Sequence, residues 1–330
     1  MWFERLTDFP EVSPHQVREK IAVDGKMLIS HVNGRAMVHG QLETPTLGEL
    51  RERVHASGYQ SGKMSVREIV ANVQQLHTEV ANAGALFQVA SQFNLLEMVS
   101  PDVTPERGVG IYDHDHTQGP ACAIAAGAGP IYRNYFAMVN GQIGQSASNQ
   151  IDCLADVGAA LGNTAGRLWE MRNGYALASQ RGLAEITHRL QASSERELDE
   201  LRQLLRIGLQ WNTQVTLDKA KHTVSQAYCS ALPVTYSTHP APLWAAFARL
   251  ILEAAYEATI CAGILNALSS GNKSVFLTLL GGGAFGNTTE WIMSAIQRAL
   301  NLNRYADLDV AIVSYGASNP QVQQLLHQWS

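Results

Sequence analysis

The chain predicts an α/β protein, and three stretches carry that expectation. Residues 275–280 form a short apolar run rich in β-branched and aromatic side chains, the mark of a buried strand. That run stops at Gly281-Gly282-Gly283 and gives way to a helical pattern in which Trp291, Ile292, Ala295, Ile296, Ala299 and Leu300 recur on one face. A second strand, 309–315, follows, and a long apolar helix over 243–268 precedes the first.

The glycine loop is the first candidate site. Asn287, Thr288 and Thr289 are alternative N-caps for the helix, and Glu290 suits the positive end of its dipole. Strand, glycine loop and helix N-terminus together cradle an anion, because bare backbone N–H groups and the dipole point at it. Gly281, Gly283 and Gly286 satisfy G-x-G-x-x-G. A dinucleotide fold, however, places that loop after its first strand, with an acid beyond the second. Here only one strand follows, and it ends in Tyr315-Gly316. No Lys-Ser/Thr follows the glycines, which excludes a P-loop.

Composition narrows the classes. Of 330 residues 46% are apolar and 16% charged, with a net charge of −5 and no basic stripe, so nucleic acid is not an expected partner. Cys122, Cys153, Cys229 and Cys261 are scattered without C-x-x-C spacing, as in reduced cytoplasmic proteins. The N-terminus lacks the apolar core of a signal peptide. Arg249, Glu253 and Glu257 interrupt the long helix, so no membrane span is expected.

Along the chain, residues 26–41 read as a hairpin around a type I′ turn at Asn33-Gly34. Thr46 and Glu49 form a capping box opening a helix that ends before Gly58. A further helix is expected from about Ser65 to Glu79, with Val66, Ile69, Val70, Val73 and Leu76 on one face. Residues 1–80 are thus expected as scaffold, and 81–330 as the ligand-binding domain. Within 86–98, apolar residues are interleaved with Gln92, Asn94 and Glu97. A strand ending in amides and a carboxylate resembles the ligand-binding rim of a parallel sheet. Next, Asp113-His114-Asp115-His116-Thr117-Gln118-Gly119-Pro120 runs into a small-residue helix, a second candidate anion cradle, with Arg133 beyond it. His114 and His116 would share one side of a strand and offer a metal two ligands. Cys122, near the helix start, would be a thiolate nucleophile in a cysteine hydrolase. A run this dense in Asp, His, Thr and Gln is costly to bury without a ligand. Residues 151–217 read as a mostly helical insertion, with a capping box at Ser194 and Glu197, able to act as a lid or to join two copies.

The order of long helix, strand, GGGAFGN loop, helix and last strand resembles the final part of a macro domain, the ADP-ribose-binding family. LFQVASQFN, residues 86–94, fits that family's earlier strand with an asparagine at its end. The family's first glycine-rich loop is absent, and Asp113–Pro120 stands in its place. The resemblance implies a three-layer α/β/α macro-like core with a mixed sheet, extended by the N-terminal hairpin and helices and by the insertion. It also implies binding of ADP-ribose or an ADP-ribosylated molecule, with hydrolysis at the distal ribose or binding alone, and without a cofactor or metal. On that reading Gly281, Gly282, Gly283, Ala284, Phe285, Gly286 and Asn287 hold the diphosphate, and Phe285 and Tyr315 pack on ribose or adenine. Gln92, Asn94, Thr117, Gln118, Gly119 and Arg133 contact the rest of the ligand. Asp115, with Glu97 as second choice, activates water.

Overall fold

The computed structural model describes residues 1–329. Its main sheet has seven strands: β1 (Gln41–Glu43), β2 (Ser65–Val70), β3 (Leu86–Ala90), β4 (Gly208–Gln214), β5 (Thr223–Cys229), β6 (Ser274–Leu277) and β7 (Asp309–Ser314). Their spatial order is β1-β4-β5-β3-β6-β7-β2. The five strands from β5 to β2 are parallel, and β4 runs antiparallel to both its neighbours, so the sheet is mixed. Central β3 is covered on both faces, which is why Leu86, Phe87, Gln88 and Val89 are all buried.

Consecutive residues of β3 show the three layers directly. Phe87 stacks on His77 of the helix Val73–Thr78, with ring centroids 3.8 Å apart. The next side chain, Gln88, donates to Thr259 of the helix Ala241–Ser270 at 2.9 Å. Successive side chains leave a strand on opposite faces, so these two helices sandwich the sheet. The 30-residue helix is apolar enough in length and composition to span a membrane, yet it is mostly buried here as core. Its inward charge is paired: Glu257 accepts from Arg51 at 2.5 Å and from Arg298 at 2.7 Å. Gly271, left-handed at φ 77°, ends it.

The capping boxes at Thr46/Glu49 and Ser194/Glu197 are both formed. Other local expectations need correction. Ser65 to Val70 is not helical: it is edge strand β2, in register with β7. Val66, Ile69 and Val70 fit the helical period, yet their β-branching together with pairing on β7 decides for the strand, which places Ile69 on the face opposite Val66 and Val70. The helix starts only at Val73, with the Asn72 side chain accepting from the Gln74 amide. Asn33-Gly34 lies in a longer connection between the strands Met27–Ser30 and Ala36–Val38, where only Gly34 has positive φ, so it is not a type I′ pair. The insertion is shorter than 151–217, because Gly208–Gln214 is β4 of the main sheet. It also contains a hairpin, Trp169–Arg172 with Tyr175–Ala178. Asn173 and Gly174, at φ 47° and 80°, form the two-residue turn there. Residues 1–80 supply both edges of the sheet; Leu47, Leu50, Val54, Met64, Val73 and Leu76 join the main core, while Trp2, Phe3, Leu6 and Phe9 build a second core against Leu96, Met98 and Tyr112.

Candidate functional site

The carboxyl ends of β3, β6 and β7 open into a cleft of two joined chambers. The inner one, about 160 Å³, lies between residues 90–92, 97–99, 117–120 and 278–285. The outer one, about 820 Å³, extends over Asn72, Tyr315 and Asn319. Asp115, Thr117, Gln118, Thr278 and Leu279 line both. This is where ligands sit in open parallel sheets.

One wall is the glycine loop. The Gly282 amide donates to Leu279 O, Gly286 to Gly283 O and Asn287 to Gly281 O, so the loop folds on itself. The Asn287 side chain donates to Leu232 O and Gly281 O and tethers it from behind, and Thr288 caps the helix Thr289–Leu302. The glycines divide the work. At Gly281, φ 73°, a Cβ would stand 2.4 Å from the Cβ of Ala231, and at Gly286, φ 70°, 2.2 Å from Cγ2 of Thr235. Gly283 has open space around it. Among the described residues the amides of Gly283, Ala284 and Phe285 donate to nothing in the protein. Three successive free N–H groups beside a helix N-terminus make an anion-binding concavity.

The opposite wall is the turn 91–98. Leu95 holds φ 64°, a left-handed conformation that costs a non-glycine residue about 1–2 kcal/mol. Gln92 spans the base of the turn, accepting from the Met98 amide at 2.8 Å and donating to its carbonyl at 3.1 Å. Asn94 accepts from the Leu96 amide and donates to Gln150. Arg133 donates Nε to Leu95 O at 2.9 Å. The turn carries Glu97, a lining residue of the inner chamber that is 2% exposed, with both carboxyl oxygens buried and without a hydrogen-bond partner. Burial pushes this carboxyl up to about 7, against the pull of Arg133, whose Nη2 lies 3.5 Å away, and of Tyr112. Buried acids tuned near neutrality are suited to general acid–base work.

The sequence-predicted residues therefore divide. Gln92, Glu97, Asp115, Thr117, Gln118, Gly119, Gly281, Gly283, Ala284 and Phe285 line the inner chamber, and Tyr315 lines the outer one. Asn94, Arg133, Gly282, Gly286 and Asn287 lie outside the lining. Asn94 and Arg133 are fully buried behind the turn, and Asn287 braces the loop. Gln118 also has a bracing role: its side chain accepts from the Ala90 amide and donates to Gln88 O and the Cys122 sulfur. A Cβ on Gly119 would meet Ala90 O at 1.9 Å, so this glycine lets the helix Gln118–Ala125 abut β3.

Asp115 is half-buried and accepts from the Thr117 amide. Asp113 lies at the lining of the outer chamber and accepts from the Trp2 amide of the first helix at 2.6 Å. His114 ends a 3₁₀ turn, Gly110–His114, rather than lying on a strand, and both histidines are exposed. Among the described residues no group of three or more His, Cys, Asp or Glu could hold a metal. Cys122 is fully buried, and burial pushes its thiol well up, the opposite of an activated thiolate.

No family model and no curated protein matches this chain. Solved structures of similar chain path are poly(ADP-ribose) glycohydrolases. That of Thermomonospora curvata is 11% identical, with 96% of each chain covered and a TM-score of 0.45. That of Deinococcus radiodurans, in complex with ADP-ribose, is 12% identical over 86% of this chain and 90% of the other, with a TM-score of 0.42. Identity this low and superposition this loose leave a likeness of chain path, and nothing in the site is taken from it.

Two site residues escaped sequence reading. Tyr175 and Tyr236 enclose the inner chamber together with Phe285, their rings 5.0–5.6 Å apart. Tyr175 arrives on the hairpin of the insertion, which docks by the Phe93 amide donating to Gly174 O and by the Tyr175 hydroxyl donating to Met98 O. The Asn173-Gly174 pair was the available signal for that hairpin. At the outer rim, Tyr315 is 85% exposed. Its loop is held by Glu68, which accepts from Ser314, Ser318, Gln323 and the Asn319 amide. Burial raises the Glu68 carboxyl, but these bonds outweigh it and bring it down to about 2.

Proposed function

We propose that the cleft binds ADP-ribose and hydrolyses the bond between the distal ribose of an ADP-ribosyl conjugate and its acceptor. The observation that supports this most is the pairing of features across one small chamber. Three unused backbone amides of the glycine loop that leads into the helix Thr289–Leu302 sit on one side, and a buried carboxyl with both oxygens unpartnered sits on the other. On this reading the amides of Gly283, Ala284 and Phe285 hold the diphosphate. The outer chamber takes the adenosine, with Tyr315 as its stacking surface. The distal ribose enters the inner chamber beside Glu97. Protonated Glu97 donates to the departing oxygen while water adds at the anomeric carbon, with Asp115 positioning that water and taking its proton. Asp115 thus keeps the role expected from sequence, and Glu97, second choice there for the water, becomes the acid. The depth of Glu97 favours a second reading, in which the chain binds ADP-ribose without turning anything over.

One assay separates the two. Glu97→Gln should keep ADP-ribose affinity within a few-fold while turnover of ADP-ribosyl esters or glycosides falls by ~10²–10⁴. A wild-type protein that binds ADP-ribose but releases none from any such conjugate leaves the binding module standing.

A further inference from the structure

We infer that Arg133 is a positioning residue for this site, holding Glu97 over the inner chamber without occupying either of its oxygens. The inference rests on the reading of Glu97 as the reacting acid, and its geometry is independent of any ligand. Arg133 lies on the helix Ala128–Tyr135, is fully buried, and spreads its guanidinium over three contacts. Nε donates to the carbonyl of Leu95 at 2.9 Å, the residue strained at φ 64° two positions before Glu97. The plane lies over the Tyr228 ring, 3.6 Å from its centroid. Nη2 stands 3.5 Å from Oε1 of Glu97.

A purely structural buried arginine saturates its fork, commonly by a bidentate grip on the carboxylate. Here Nη1 and Nη2 have no hydrogen-bond acceptor, and neither oxygen of Glu97 has a donor. The pair is close enough for charge to be felt and is not hydrogen-bonded, so both oxygens stay unpartnered just beneath the chamber lining. Buried polar groups left open on both partners are costly in a finished core. They are expected at a site that closes around something. The other titratable groups facing Glu97 are Tyr112, Asp115, Cys122 and Tyr228, and none of them carries positive charge. Arg133 is therefore the one cation that opposes protonation of Glu97 by burial. Loss of it should leave Glu97 protonated to higher pH and release the strained turn.

The test uses urea denaturation from pH 5 to 9 on the full chain. It compares wild type with Glu97→Gln, and Arg133→Met with the double variant. The difference within each pair reports the proton on Glu97 without any ligand. That difference changes from about pH 4.5 up to the folded-state titration midpoint of Glu97. The midpoint should lie near pH 7 with Arg133 present and move up by ~1–3 pH units without it, the usual effect of a close opposite charge. Equal midpoints in the two backgrounds would overturn the inference. If Arg133→Met does not fold, Arg133→Lys decides. One ammonium cannot hold Leu95 O, the Tyr228 face and Glu97 together, so the midpoint should still rise, and an unchanged one overturns the inference. A shifted midpoint in a protein whose wild type hydrolyses no ADP-ribosyl conjugate supports the hold of Arg133 on Glu97 and sinks only the reaction.

Discussion

Alanine placed singly at three positions of the glycine loop should have three separable effects. At Gly286 the backbone is left-handed at φ 70°, and a new Cβ would stand 2.2 Å from Cγ2 of Thr235. Left-handed backbone costs an alanine about 1–2 kcal/mol, and forcing a methyl into filled space adds about 1–3 kcal/mol. Gly286→Ala should therefore lose roughly 2–5 kcal/mol. Gly281→Ala should lose a similar amount, since φ is 73° and the Cβ of Ala231 lies 2.4 Å away. At Gly283 nothing lies within 4 Å and φ is not left-handed, so Gly283→Ala should stay within about 0.5 kcal/mol of wild type. Urea unfolding reads all three, and calorimetric titration with ADP-ribose adds the functional contrast. Gly283→Glu should fold like wild type and fail to bind, because its carboxylate fills and repels at the anion site. Equal losses at all three positions would refute the division of labour, as would a Gly283→Ala protein that does not fold.

Other outcomes follow from the same geometry. The Glu97 carboxyl rises from 4.5 to about 7 on folding, so its contribution is fully present below pH 4.5 and lost as pH rises through 7. Relative to Glu97→Gln, wild type should lose up to roughly 3 kcal/mol across that window, at about 1.4 kcal/mol per pH unit; parallel stability profiles would contradict this. Cys122→Ser should fold and keep any activity, since the buried thiol only accepts from Gln118; a folded variant that binds but is inactive would restore the thiol as nucleophile. Asp115→Asn should lower turnover with little change in stability. Asp113→Asn should weaken the packing of the first helix, whose Trp2 amide it caps, and leave turnover at saturating substrate unchanged; the reverse pattern in melting and activity assays would exchange their roles.

Much of the fold was legible because period and capping agree with the tertiary structure along most of the chain. The long helix, β3, β6, β7 and both capping boxes combine clear apolar patterns with the right terminal residues. Period misleads where tertiary pairing overrides it. Val66, Ile69 and Val70 follow the helical spacing, and pairing with β7 makes them a strand with Ile69 on the opposite face. It misleads again at β4, where Leu209 continues the leucine spacing of the preceding helix but belongs to the sheet. In the site, residue chemistry shows which stretches meet and not what each side chain does there. Gln92 and Gln118 line the inner chamber and also brace the turn and the strand end, while Asn94 braces the turn from outside the lining. Arg133 and Glu97 are 36 residues apart in sequence, and nothing local announces that they meet in the interior.

The most direct measurement is a calorimetric titration of ADP-ribose into wild type and into Gly283→Glu, both shown to be folded. Saturable one-to-one binding to wild type, with none to the variant, is the expected result. No binding to wild type at millimolar ADP-ribose, or equal binding to both proteins, would contradict the proposed cleft.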